Sequence, residues 1–543
     1  MNIFSCFPRQ SIGGYIILFL LLLNSGCSSM LKNYQLEPGR LPDLHEYNNY
    51  EQDFFYLKAL CEEAVPLADK YFPPERRSAL EKEILKRLGG PGVTEEIFVY
   101  CVCRYLAGFS NQHAYVEERN RYIFDRKIYP VSFHYTGSEL FVLNAAEPCD
   151  AAVIGKKVTA INGMPVSEVE KRLGETATAD NIFSRRAMLE NWFFYSRPVY
   201  YRLSGLIDSD DAVLRLEFED HTEVSVTPVK DFLKWHHRAK EHPVTAKSEH
   251  LYDGKIFPDR DFAYFQFNAC FDKTIILDGV TGYVNWWIRP FARLWLNRQF
   301  KKEKPSELID GYYDPDRPVF KDYLASFIKE VNSRGINNLI IDLRHNNGGG
   351  DLGSQLVYHL TYRQDLLDSK NFCYNPDILE LYSPEKGRAF RLWYRNNFGE
   401  DPPLKKLTPI PQNKYALFSH ITDPGSIYYV PPDRPVFKGK VIVLVNPNTK
   451  SAAALLAAFL QDNKLAVTVG STTDNNPTGP TGYTPFKLPG TGLKISLPSD
   501  YIERAVPENG DIFMPDYRVE NTVSHILEGK DALFDKALEL IAH

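Results

Sequence analysis

Apolar positions change period several times along the chain, and those changes lay out its elements. Val441–Val445 is a short apolar run rich in β-branched residues, of the kind found in a strand covered on both faces. The polar break Asn446-Pro447-Asn448-Thr449 follows. Then come the Ala- and Leu-rich stretch Ser451–Gln461, of good helix propensity, and a second buried strand, Ala466–Val469, closed by Gly470. The pattern predicts strand, turn, helix, strand, with Ser451 at the head of the helix. Earlier in the chain, Phe54, Leu57, Leu60 and Val65, then Leu80, Ile84 and Leu88, recur at helical spacing, broken by Pro73-Pro74 and ended by Gly89-Gly90-Pro91-Gly92. Short strands dominate from Tyr129 to Lys230: Leu140–Leu143, Lys157–Ile161, Val213–Phe218 and Glu223–Thr227. Phe262–Phe267 and Leu339–Leu343 read as strands on either side of a helix marked by Phe320, Leu324, Phe327 and Val331. That order favours parallel pairing. Phe486–Leu488 and Leu493–Leu497 flank Gly490-Thr491-Gly492 as a hairpin, and Ala532–Ile541 reads as a closing helix.

These segments predict an α/β (α+β multidomain) chain. A signal peptide would occupy 1–27, a tether 28–50, a helical domain 51–128, a β-rich domain 129–235, and an α/β core 250–543. The core carries insertions at about 273–316 and 363–437. The first interleaves Trp286, Trp287, Phe291, Trp295 and Phe300 with Arg289, Arg293, Arg298, Lys301 and Lys302. That mix suits an insertion packed on its own domain, a membrane interface or a lid. The second is Pro- and Tyr-rich and gives no clear period.

A chain of 543 residues allows two to four domains, and the net charge of −6 argues against nucleic acid as a main partner. The apolar run Tyr15–Leu23 is too short to span a bilayer and suits a signal peptide. Asn24-Ser25-Gly26-Cys27 then looks like a bacterial lipoprotein cleavage site, with Cys27 the acylated first residue and attachment to a membrane through lipid. The expected place is the bacterial cell envelope, on the periplasmic side or as an outer-membrane lipoprotein. The remaining cysteines show no zinc spacing, so no metal is expected. No nucleotide-binding glycine pattern occurs, and no organic cofactor is implied.

Ser451 at a helix N-terminus would sit among free backbone N–H groups at the positive end of the dipole, where a developing oxyanion is stabilised. Capping is the commoner use of serine there. The order Ile341-Asp342-Leu343-Arg344 with Gly348-Gly349-Gly350, then Ser451-Ala452, then Gln461-Asp462-Asn463 with Gly470, resembles the tail-specific (C-terminal processing) serine protease family, and more closely its tricorn-like branch. Ile154–Gly163 followed by Met164-Pro165 resembles a PDZ-like domain, which captures peptide termini.

The resemblance implies a crotonase-like (ClpP/crotonase-type) core and a peptide or protein substrate. Ser451 would be the nucleophile and His113 the general base. Glu508 would orient the group, with Glu503 the second choice. Oxyanion N–H groups would come from Ala452 and from the loop of Gly348 and Gly349. Gln112 and Ala114 depart from the family's wording around the histidine, and His345 is a rival base. The lysine base of the tail-specific branch would fall at Asn476, and Ser471–Gly482 holds no lysine. An amide cannot accept the serine proton. The resemblance is compatible with an exported, lipid-anchored endopeptidase. It is also compatible with an inactive relative that binds peptide, lipid or glycan. Oligomeric state is not legible.

Overall fold

The computed structural model describes residues 34–123, 127–191, 194–230, 233–236, 240–277, 289–301, 312–382, 384–411 and 419–542. Cys27, Trp286 and Trp287 lie outside the described residues, and with them the lipid-anchor expectation and part of the aromatic insertion.

Three long helices, with the short turn of helix Ala68–Tyr71 between the first two, form the first unit among the described residues. α1 (Asn49–Ala64) starts on a capping box in which the Asn48 side chain and Glu51 satisfy each other's backbone amides. α2 (Pro74–Leu88) opens on proline, whose missing N–H costs nothing at a first turn. α3 (Glu95–Ala107) is capped by Thr94. Phe54, Leu57, Ile84, Leu88, Phe98 and Tyr105 bury their contacts between them. The chain leaves through β1 (Tyr115–Val116).

The second unit is a six-stranded antiparallel sheet, ordered β2 (Val131–Thr136), β3 (Glu139–Ala145), β4 (Lys157–Ile161), β5 (Leu214–Phe218), β6 (Glu223–Val226), with Met164–Pro165 paired to β4. Alternating burial along β2 gives it one wet and one dry face. Helices α4 (Val166–Leu173) and α5 (Ile182–Asn191) follow β4.

The third unit is built on β7 (Tyr252–Phe257) and β8 (Phe262–Phe267), which pair antiparallel. After α6 (Phe320–Ser333) come β9 (Asn338–Asp342), β10 (Lys440–Val445), α7 (Ala452–Asp462) and β11 (Val467–Gly470). β8, β9, β10 and β11 pair in parallel in that order, so β9 and β10 are buried on both faces, as their continuous apolar runs require. The hairpin β12 (Thr484–Lys487) and β13 (Lys494–Leu497) precedes β14 (Tyr517–Arg518), which completes the large sheet beside β11. α8 (Ala532–Ile541) closes the chain, and its Asp531 N-cap also pairs with the buried Arg344 at 2.8 Å. Arg344 meets Asp342 at 2.6 Å as well, so one guanidinium joins the end of β9 to the last helix.

Two observations differ from the sequence expectations. The β12–β13 hairpin packs with the first unit: Phe486, Leu488, Leu493, Ile495 and Leu497 share a core with α1–α3, and Tyr115 pairs with Ser496. The Asp53 carboxylate also accepts the N–H groups of Gly490 and Thr491, both at 2.7 Å. The expected core domain therefore lends a piece to the helical one. Second, the stretch 363–437 is not featureless. Pro376–Tyr382 and Pro384–Phe398 are helices, each opening on a proline, and Lys370–Cys373 pairs with Asp500–Glu503.

Candidate active site

β10 runs straight into the turn that carries Ser451. The residue has φ 49 and ψ −123, a conformation most side chains avoid, and its hydroxyl makes no capping bond. The commoner capping role is thus not the one seen. The turn is held from outside. The Ser451 N–H donates to the Asn475 side-chain oxygen, the Lys450 N–H to the Asn346 carbonyl at 2.9 Å, and the Thr449 hydroxyl to the Leu343 carbonyl at 3.0 Å. Ala452 follows as the first helical residue, with an amide that has no partner inside the helix.

The glycine loop lies against this turn. A Cβ on Gly348 would stand 2.7 Å from the Ser451 Cβ, 2.7 Å from the Lys450 carbonyl and 3.0 Å from the Ala452 nitrogen. Gly348 has φ +84 and Gly349 φ +131, so glycine is needed for conformation as well as for space. The loop is fixed on its other edge. Cys270 donates to the Gly348 carbonyl at 2.9 Å, and Gly350 donates to the Cys270 carbonyl at 2.9 Å. In this parallel bridge the N–H of Gly349 points away from Cys270. The Gly348 N–H is already used, donating to the Asn346 side chain at 2.8 Å. Of the two expected loop donors, Gly349 therefore keeps a free direction, while Gly348 serves by close approach and not by its amide. Asn346 organises both sides of the site. It was visible in sequence only as the asparagine between the strand and the glycines.

His113 sits in the turn between α3 and β1. Its N–H donates to the Asn111 side chain at 3.0 Å, and Asn111 in turn donates to the Pro480 carbonyl at 2.8 Å. Its Nδ1 is buried without a partner. Desolvation pushes the imidazole pKa down to about 4, so the ring is neutral at ordinary pH and able to accept a proton. A cleft of about 370 Å³ is lined by Gln112, Tyr115, Val116, Met188, Lys450 and Asp474, so the residues just before each candidate line it while His113 and Ser451 themselves do not. Lys450 meets Asp474 there at 3.4 Å. Burial pushes the Asp474 carboxyl up to about 6 against the pull of Lys450.

The expected Glu508 does not join this group. It lies exposed in the turn Pro507–Asn509. Its neighbour Asn509 donates to Asp462 at 2.7 Å, and Asp462 ends α7, about 16 Å along the axis from Ser451. Arg504 holds that turn by donating to the Asn509 carbonyl at 3.2 Å, which keeps Glu508 at the wrong end of the helix. Glu503 is half-buried in a strand opposite Lys370 and is no better placed. His345 lines another cavity, of about 220 Å³, with Lys240, Lys247 and Asp531. No group of three or more His, Cys, Asp or Glu that could hold a metal occurs among the described residues, and the six described cysteines are free and buried.

Residues 317–517, which contain the glycine loop and Ser451, match the model of peptidase family S41. That match takes in both the glycine loop and the Ser451 turn, and it supports a peptidase of the serine class. In overall fold it is similar to mature CPAF, at 16% identity, with 91% of this chain and 97% of that chain covered and a TM-score of 0.59. It is likewise similar to mature CPAF complexed with lactacystin, at 17% identity, with 91% and 98% covered and a TM-score of 0.60. No curated protein matches the chain.

Proposed function

We propose that the chain is an endopeptidase in which Ser451 attacks the scissile carbonyl and neutral His113 takes its proton, returning it to the leaving amine. The oxyanion would be held by the N–H groups of Ala452 and Gly349. The observation that carries this reading is the strained turn: an uncapped Ser451 at φ 49, heading a helix and backed by a glycine loop that admits no side chain. Labelling by a serine-reactive fluorophosphonate, abolished by Ser451→Ala and by His113→Ala with the fold intact, is the expected result. Labelling that survives Ser451→Ala would end the assignment.

A second reading, a peptide-binding relative without turnover, is favoured by one observation: among the described residues no carboxylate pairs with His113. Failure of the wild-type chain to label would select it. Export and lipid attachment at Cys27 belong to the same proposal, resting on the apolar run Tyr15–Leu23 just before it. Cys27→Ser should release the chain from membranes. A mutant that stays wholly membrane-bound would refute the lipid anchor.

A further inference from the structure

The segments carrying His113 and Ser451 are linked through a third that is remote in sequence from both, and one side chain of it touches two stretches of that link. Asp180 lies in the link between α4 and α5. Its Oδ1 accepts the N–H of Gln112 at 2.7 Å, and its Oδ2 accepts the N–H of Asn476 at 3.0 Å. Gln112 is the residue before His113. Asn476 is the residue after Asn475, whose side chain receives the Ser451 N–H. The next residue, Asn181, doubles the contact by donating to the carbonyls of Thr473 and Asp474, both at 3.2 Å. Asp474 returns to the nucleophile turn, its N–H donating to the Thr449 carbonyl at 3.1 Å. A continuous path of backbone and hydrogen bonds thus runs from the base to the nucleophile, with the Asp180 carboxylate at its centre.

Resting on the peptidase reading above, we propose that Asp180 is a positioning residue that sets the approach of His113 to Ser451. Both of its partners are donors, so two acceptors are required. A carboxylate supplies them, whereas an asparagine in its place would turn an N–H against one amide. No cation pairs with Asp180 among the described residues, so backbone dipoles alone compensate its charge. Burial accordingly drives its pKa up to about 7 against those two amide bonds, with Asp474 adding to the rise. The two bonds tie the residue before His113 to Asn476 through a single side chain. What it fixes is the separation of the two loops it joins. A shift of about 1 Å between reacting groups can cost on the order of a hundredfold in rate.

The test compares full-length wild type with Asp180→Asn, measuring kcat per fluorophosphonate-titrated site, KM on a peptide ester, and melting temperature. The expected result is a fall in kcat per titrated site of about tenfold or more with KM within about twofold, because binding energy is untouched while the approach is not. An unchanged kcat per titrated site would overturn the proposal, even if less folded protein were recovered. Should Asp180→Asn not fold, Asp180→Ser takes its place under the same criterion. If neither folds, Asp180 is structural and the proposal fails. A wild type that does not label at all sinks the peptidase reading instead, which keeps the two failures distinct.

Discussion

Gly348→Ala tests the glycine loop and the nucleophile turn together. The added Cβ would lie 2.7 Å from both the Ser451 Cβ and the Lys450 carbonyl. Ordinary carbon contacts begin near about 3.5 Å, so the turn or the loop must yield by about 0.8 Å. The atoms in the way are backbone and a Cβ, and no rotamer change can move them. The loop cannot retreat freely, because Cys270 pins it on the far side through two hydrogen bonds of 2.9 Å. The displacement therefore falls largely on Ser451, and by the same geometric sensitivity should cost on the order of a hundredfold in kcat/KM. Alanine at φ +84 adds about 1–2 kcal/mol of backbone strain. That should lower the melting temperature by a few degrees without unfolding the chain, on the order of 2–4 °C per kcal/mol. Steady-state hydrolysis of a peptide ester and a thermal melt read the two effects separately. Activity within about threefold of wild type, in a folded variant, would refute the placement of Gly348 against the nucleophile.

Ser451→Gly and Ser451→Ala should both be inactive, but the glycine variant should be the more stable by about 1–2 kcal/mol, since only alanine keeps the strain at φ 49; equal denaturation midpoints would argue against a strained turn. Arg344→Ala leaves Asp342 and Asp531 buried without their cation, and chemical denaturation should show a loss of about 3–5 kcal/mol. Burial raises the Asp531 pKa, but the charge and hydrogen bonds of Arg344 outweigh it and hold the group down at about 2. The resulting stability is fully present above about pH 4 and is lost as pH falls towards 2, roughly 2 kcal/mol in all; a wild-type acid midpoint matching that of Arg344→Ala would contradict this. His113 is held near 4 by desolvation, so kcat/KM should rise through about pH 4 and be level at neutrality. An acidic limb near the ordinary imidazole value would mean that the ring is solvated or that another base acts.

The turn and the glycine loop, written in contiguous residues, were legible as local structure. Ser451, Ala452 and the glycines advertise themselves because strand, polar break and helix follow one another within a short stretch, and local pattern fixes local geometry. His113 carries no such signal and came from resemblance alone. Glu508 was misread because an exposed loop glutamate looks the same whether or not it folds back on a site; what decided its place was Arg504 gripping the turn from Asp462. Asn475 and Asp180 were missed for the opposite reason. Their work is hydrogen bonding to amides of segments far off in sequence, which no period records. The helices at Pro376 and Pro384 went unread because 363–437 shows no clear period, although proline is well suited to a first helical turn.

The sharing of the β12–β13 hairpin between units has a consequence for how the molecule comes into being. A ribosome delivers His113 early, but its turn is completed by Pro480, and β1 waits for Ser496. Neither contact exists until nearly the whole chain has emerged, and contacts of such long range form slowly. A half-made chain thus holds a histidine with nothing to serve, and later a serine loop with nothing to hold it in place. For the same reason the stretch from residue 250 onward is not a minimal enzyme that could be cut out and expressed. It would leave behind His113, the proposed base, and expose the hairpin face that α1–α3 cover.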